Sequence, residues 1–278
     1  MDCLTIMTDD QAAKVRDRYA DRLRHLVQLF RDVAVREWPS GRHGVGRPVS
    51  DSFARRLADV GRRWAGIDSV ADVASEVADF ATVSIDGCAA GRISFVRKDG
   101  QAPSAAYTED GARRAGELQR RLGEGPGNDA LEAAGPVYAN DLDHEPRWPA
   151  WAPRTVLGTG YHSVVSTRLY VQERTLGVLE LYGKGADAFS EQALEQTELL
   201  AAHASAHLAL TDLVQNLSTA LSTRTVIGQA EGILMERYQL DAVRAFAMLR
   251  RVSQHTNTRL AEVAEELVHT RRTPGADA

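Results

Sequence analysis

Apolar residues recur along this chain at two periods, and the places where the period changes divide it. From about residue 9 to 37, Tyr19, Leu23, Leu26, Phe30 and Val33 step by alternating fours and threes with charges on the remaining faces, which predicts an amphipathic helix ending at Trp38-Pro39. The spacing suits a short coiled-coil seam and equally a helix packed on its own chain or a dimer partner, and both readings stand. The Gly- and Pro-rich run Pro39-Ser40-Gly41-Arg42-His43-Gly44-Val45-Gly46-Arg47-Pro48 follows and reads as a linker. Between 51 and about 190, helical patterns near 51–64 and 69–81 give way to short β-rich runs at 91–96 and 136–139. The clearest strand signal is Ser163 to Val171, a turn at Gln172-Glu173-Arg174, then Thr175 to Tyr182, an antiparallel hairpin. Strands and helices mixed in this order predict an α+β layer fold.

Ser190 then caps a helix that meets no Pro or Gly until Gly228. Between Ala201 and Ser222 its only formally charged residue is Asp212, while Ala206, Leu210, Leu213, Leu217 and Ala220 again step by fours and threes. So bare a face needs cover, either from the chain's own sheet or from a second protomer, and Leu210, Leu213 and Leu217 are taken as the seam of a homodimer. His203 and His207 lie one turn apart, a spacing that metals use, but they have no carboxylate or cysteine company and no metal site is expected.

Residues 217–272 divide into three helical periods. The first runs to about Tyr238 with Ile227, Ala230, Ile233 and Leu234 inward; the second is capped by Asp241 and buries Ala245, Phe246 and Leu249; the third buries Leu260, Val263, Ala264 and Leu267. Gly232 sits mid-helix, where it costs roughly 1 kcal/mol relative to Ala, and that predicts a backbone or ligand close by. A three-helix unit of this size is too small to be an enzyme.

Arg224-x-x-Ile227-x-Gln229-Ala230-Glu231-Gly232-Ile233-Leu234-Met235-Glu236-Arg237, followed by Ala245-Phe246-x-x-Leu249-Arg250-x-x-Ser253-x-x-x-Asn257-x-x-Leu260-x-x-Val263-Ala264, resembles the ANTAR domain of bacterial antitermination regulators. The resemblance runs through all three helices; Glu231 stands where the family often has Lys, which removes one phosphate contact. It implies an RNA-binding domain that, as a dimer, holds paired hairpins in a nascent leader transcript and so disfavours the overlapping terminator.

Charge changes the picture locally more than globally. The 278 residues carry 33 Lys+Arg against 38 Asp+Glu, a net charge of -5, which excludes binding of nucleic acid or anionic membrane through bulk positive charge. From 223 to 261, however, Arg224, Arg237, Arg244, Arg250, Arg251 and Arg259 face only Glu231, Glu236 and Asp241. Arg forks onto phosphate or stacks on an unpaired base, and amide and hydroxyl side chains bond base edges. The RNA-contacting set is therefore read as Arg224, Gln229, Arg237, Arg250, Arg251, Ser253, Asn257 and Arg259.

In the middle segment, Leu122-Gly123-Glu124-Gly125-Pro126-Gly127-Asn128-Asp129-Ala130-Leu131, Pro136-Val137, Asp141-Leu142, Arg147-Trp148-Pro149, Ser163-Val164 and Leu176-Gly177-Val178-Leu179-Glu180-Leu181-Tyr182 resemble the GAF domains that precede ANTAR in actinobacterial regulators. This resemblance implies an antiparallel sheet flanked by helices, with a small-molecule or protein-facing pocket on one side. Many relatives have Cys after the Gly-Pro where this chain has Gly127, and Cys3 and Cys88 cannot build the three-cysteine arrangement of a GAF-type methionine sulfoxide reductase. The glycines of 123–127 lack the spacing and Lys-Ser/Thr of a nucleotide loop and read as a turn. Trp148 and Trp151 are the candidates for lining a ligand pocket, or equally aromatic lids over a sheet edge; His144 and His162 are weaker candidates as ligands to haem or metal.

Two isolated cysteines give no disulfide framework, zinc or iron–sulfur signature, and a reducing cytoplasm is the expected compartment. No run of 18 apolar residues marks a membrane span, and the N-terminus lacks the order of a signal peptide. No Ser/His/Asp, Cys/His or kinase nucleotide-binding pattern is present, so neither catalysis nor a cofactor is expected. The organisation expected is a helical arm and linker at 1–50, a GAF-like sensor at 51–212, and a long helix leading into an ANTAR bundle at 213–278. The function expected is signal-responsive antitermination through RNA, the signal being a small molecule or protein; the alternative is a helix-turn-helix DNA-binding regulator with a GAF sensor.

Overall fold

The computed structural model describes residues 51–96 and 106–270. The helix expected over 9–37 and the linker at 39–48 lie outside the described residues. Within them the order is α1 (Asp51–Trp64), α2 (Val70–Ser84), β1 (Ala90–Phe95), β2 (Ala106–Tyr107), α3 (Asp110–Leu122), α4 (Pro126–Glu132), β3 (Val137–Ala139), a single 3₁₀ turn (Leu142–His144), α5 (Trp151–Thr159), β4 (Ser163–Val171), β5 (Arg174–Gly183), α6 (Glu191–Tyr238), α7 (Ala242–Thr256) and α8 (Leu260–Thr270).

The five strands form one antiparallel sheet in the order β2-β1-β5-β4-β3. The expected hairpin lies at its centre with Val165 opposite Leu181, but its turn is only Gln172-Glu173, with Gln172 left-handed at φ 55°; Arg174 already belongs to β5. Because β5 is covered on both faces, every residue from Leu176 to Gly183 is buried, and a period of two decides only which layer each side chain joins.

One layer holds α1, α2 and the first half of α6. Phe53, Leu57, Val60 and Trp64 of α1, Val73, Val77 and Phe80 of α2, and Leu200, Ala204 and Leu208 of α6 close over Ile93, Val165, Leu169, Leu179 and Leu181. Each Val, Leu, Ile and Phe among them contributes about 1.5–3 kcal/mol by leaving water. Ser69 starts α2 by accepting from the Asp72 N–H. Where β4 shifts register between Leu169 and Tyr170, the freed Tyr170 N–H donates to the Ser205 hydroxyl of α6 at 3.0 Å. The opposite layer packs α3, α5 and the 3₁₀ turn onto Ala90, Val164 and Tyr182.

Ser190 caps α6 by accepting from the Ala193 N–H, as expected, but Gly228 does not end the helix, which runs 48 residues to a left-handed cap at Gln239. The 212/213 boundary therefore falls inside one continuous helix. Gly in a helix interior costs about 1 kcal/mol, too little to break a helix packed at both ends. Buried positions stop at Thr211 and resume at Ala230; from Asp212 to Gln229 every residue is exposed or half-exposed.

The C-terminal bundle closes around Ala230, Leu234, Ala245, Leu249, Val263, Ala264 and Leu267, with Ile227, Ile233 and Leu260 partly buried against them. Phe246, expected inside, is half-buried and outside this cluster, because α7 turns its Ala245–Leu249 stripe inward and leaves the next stripe at the rim.

Candidate functional site

The sheet face toward α3 and α4 carries a row of polar residues, because Ser166, Glu180 and Arg92 occupy paired positions on β4, β5 and β1. The Glu180 carboxylate is wholly buried and ion-paired with Arg92, whose side chain is 13% exposed. It also accepts from the Gln119 amide of α3 and, at 3.1 Å, from the Tyr182 hydroxyl. Gln119 Oε1 accepts in turn from the Gly127 N–H at 2.7 Å, which ties the first turn of α4 to the sheet. A Cβ at residue 127 would stand 2.9 Å from Gln119 Oε1 and Glu180 Oε1, so a cysteine there would push the ends of those two side chains out of the cluster. Burial drives the Tyr182 phenol far above its ordinary pKa, with Glu180 adding to the effect. Arg92 Nε and Ser166 Oγ are buried with no hydrogen-bond partner among the described residues. The sequence signal for this cluster was the lone charge in the run Leu176 to Tyr182; its partners, 61 and 88 residues away, carried none.

The 123–127 segment is a turn. Gly123 caps α3 in the left-handed region at φ 70°, Gly125 takes φ 136°, and the Gly127 N–H is spent on Gln119 rather than free for an anion. Trp148 and Trp151 are 1% and 0% exposed and meet edge to face at 5.6 Å. Their indole N–H groups donate at 2.9 Å to Asp129 Oδ2 and to the Ala115 carbonyl. Both are buried with satisfied polar ends, in a cluster with Leu142, Tyr161 and Tyr182.

His144 pairs with Asp141 at 2.7 Å and His162 with Asp143 at 2.5 Å on the surface. His207 lies edge-on against Trp64 at 5.6 Å; burial lowers its pKa, and neighbouring His203 lowers it further. Among the described residues no group of three His, Cys, Asp or Glu is placed to hold a metal. Burial pushes the Cys88 thiol up to about 12, which disfavours the thiolate at neutral pH.

On the bare stretch of α6, Leu210, Leu213, Val214, Leu217 and Leu221 are 37–58% exposed. Asp212, the lone charge there, is paired with Arg174 at 2.7 Å and ties the hairpin end to the helix. A Cβ on Gly228 or Gly232 would meet nothing within 4 Å, so no approach within the described chain explains either glycine.

On the bundle, Arg224, Gln229, Arg250, Arg251 and Arg259 are exposed, as is Arg237 in the last turn of α6. The residues on α7 do not share one face. Arg250 and Asn257 are seven apart and lie on the stripe flanked by Phe246, whereas Arg251 lies on the next stripe with Arg244 and Met248. Ser253 is committed to the α7–α8 turn, its hydroxyl donating to the Thr258 carbonyl at 2.7 Å. Asn257 holds the left-handed cap of α7 at φ 52° and leaves its amide exposed. A groove of about 400 Å³ on α7, lined by Leu240, Arg244, Ala247, Met248, Arg251 and Val252, is a feature the sequence pattern did not single out.

Two family models match separate stretches of the chain. The GAF domain model matches residues 68–209, just over half of the chain, and the ANTAR domain model matches residues 215–268. The chain belongs to the GAF domain family and carries a C-terminal ANTAR domain; GAF is a sensor domain, and ANTAR is the RNA-binding module of antitermination.

Among solved structures, the GAF domain of a phosphoenolpyruvate–protein phosphotransferase from Coxiella burnetii is 19% identical, with 58% of this chain and 95% of that one covered and a TM-score of 0.48. Free methionine-R-sulfoxide reductase from Neisseria meningitidis is 17% identical, covering 64% and 99%, with a TM-score of 0.44. The Stigmatella aurantiaca phytochrome photosensory core is 12% identical, covering 76% and 46%, with a TM-score of 0.49. No curated protein matches the chain significantly. Among the described residues no helix is long and apolar enough to cross a membrane.

Proposed function

We propose that this chain is a cytoplasmic, non-catalytic regulator whose GAF domain senses a signal and whose ANTAR bundle binds paired hairpins in a nascent leader RNA, preventing the terminator from forming. The observation that carries the reading is the outward display of Arg224, Arg250, Arg251 and Arg259 around a bundle whose interior is wholly apolar. Guanidinium groups on a convex surface suit loop phosphates and unstacked bases better than the deep groove of an RNA duplex.

Two protomers pair along α6, with Leu210, Leu213 and Leu217 at the seam. Their exposure in the single chain supports this, as does the absence of any other charge on the stretch around Asp212. Pairing sets two bundles at a fixed separation, so two hairpins on one RNA bind with the gain of an intramolecular second step. The signal acts by binding one dimer geometry better than the other.

The test is a titration of the full-length protein against a two-hairpin RNA recovered from a pool with randomised loops, a loop-scrambled control and duplex DNA, each at two salt concentrations. Loop-dependent RNA binding that survives the higher salt is expected. Binding that vanishes with salt, or that favours duplex DNA, contradicts the proposal and supports a helix-turn-helix DNA binder.

A further inference from the structure

The groove on α7 has the chemistry of a seat for one nucleobase. Arg244, Ala247, Met248, Arg251 and Val252 fall at i, i+3, i+4, i+7 and i+8, so they form one stripe, and Leu240 in the preceding turn closes one end. Met248 and Val252 pack partly against the bundle core and Ala247 is exposed, which makes a flat apolar floor held rigidly from beneath. Arg244 and Arg251 stand two turns apart, about 10 Å along the axis, one toward each end of that floor.

No carboxylate lines the groove. The nearest acid, Asp241, reaches Arg244 only at 3.6 Å, and both side chains are more than 60% exposed, so the pair holds the guanidinium weakly. An apolar floor between two guanidinium groups matches a base turned out of its stack, with its flanking phosphates on the two cations. A closed duplex offers phosphates but no accessible base face, and an apolar protein segment leaves both cations unanswered.

We propose that this groove binds one unpaired base of an RNA hairpin loop, with Arg244 and Arg251 taking the phosphates on either side. The inference rests on the RNA-binding reading above and adds Arg244, Ala247 and Met248 to the contact surface.

The experiment uses the full-length protein, the two-hairpin RNA recovered from the randomised-loop pool, and versions of that RNA made abasic at one loop position at a time. Ala247→Leu fills the groove at an exposed position. One abasic position should weaken wild-type binding at least tenfold. Ala247→Leu should show the same loss with intact RNA and almost none beyond it with that abasic RNA. Arg244→Ala should reduce the slope of log affinity against log salt by about 0.7, one phosphate contact to a single strand.

Losses from Ala247→Leu that add to those of every abasic position, or no loss at all, overturn the base seat while leaving RNA binding intact. A fall in sedimenting mass with unchanged RNA affinity also overturns it, by making the groove a protein contact. If the wild-type protein enriches no RNA, the RNA-binding reading fails first and the base seat with it.

Discussion

The two ends of α6 handle charge in opposite ways. Where the helix lies on the sheet, the sensor domain buries one ion pair, in a cluster of Arg92, Glu180, Gln119 and Tyr182 closed by the Gly127 N–H. Where it enters the bundle, seven apolar side chains are the whole of the buried core and every Arg points outward. A closed interior network specifies one arrangement of α3, α4 and the sheet, because each member is costly to leave without its partners. An outward charge is inexpensive for folding and remains available to a polyanion. Between the two, the uncovered stretch from Asp212 to Gln229 mechanically joins a domain organised around interior polarity to one organised around surface polarity.

The comparison breaks most severely if the interior cluster is opened. Glu180→Ala leaves the Arg92 guanidinium buried without its carboxylate, and the sensor domain should lose about 3–5 kcal/mol, read by denaturant unfolding. A loss below 1 kcal/mol would mean that water already reaches the cluster. In the bundle, Leu249→Ala should cost about 2–5 kcal/mol, which so small a core cannot absorb. Hydrogen exchange should then rise across α7 and α8 while β4 and β5 stay protected; protection lost in both regions together would show that the two cores unfold as one.

Next in size is the seam. Leu213→Asp with Leu217→Asp changes exposed positions, so thermal stability of the separate domains should barely move while the sedimenting mass falls from dimer to monomer. An unchanged mass locates the contact elsewhere.

Asn257 sharpens the comparison further, since it serves both as a left-handed cap and as a candidate RNA contact. Asn257→Gly keeps the backbone conformation and removes only the amide, whereas Asn257→Ala also strains the cap by about 1 kcal/mol. Loss of RNA affinity in both variants marks a contact; loss in the Ala variant alone marks a cap.

The smallest effect expected is on pH. Burial depresses the His207 pKa, so the folded domain holds fewer protons there than the unfolded chain, and stability is complete above about 6.5 and declines as pH falls below it. His207→Phe should flatten that decline in thermal melts between pH 7 and 5. His144, raised by its hydrogen bond to Asp141, works in the opposite direction, but on the surface it is screened.

What was legible in the sequence is what depends on near neighbours. The hairpin, the caps at Ser190 and Asp241, and the apolar stripe of Ala230, Leu234, Ala245, Leu249, Val263 and Leu267 all follow from spacings within one or two turns or strands. The Glu180 cluster could not be read that way, because it joins residues 61 and 88 positions apart through sheet register. Trp148 and Trp151 illustrate the remaining ambiguity, since a large aromatic beside a Pro has the same local pattern whether it lines a pocket or fills a core, and their hydrogen-bond partners, Asp129 and the Ala115 carbonyl, lie 19 and 36 residues away.

The central claim is that α6 pairs two chains so that two bundles grip two hairpins of one RNA. It is tested most directly by sedimentation of the full-length protein with two-hairpin and single-hairpin forms of the recovered RNA. The account predicts one two-hairpin RNA per two chains, bound at least tenfold more tightly than a single hairpin, with that advantage lost in the Leu213→Asp, Leu217→Asp variant. One RNA per single chain, with equal affinity for one hairpin and two, would contradict it.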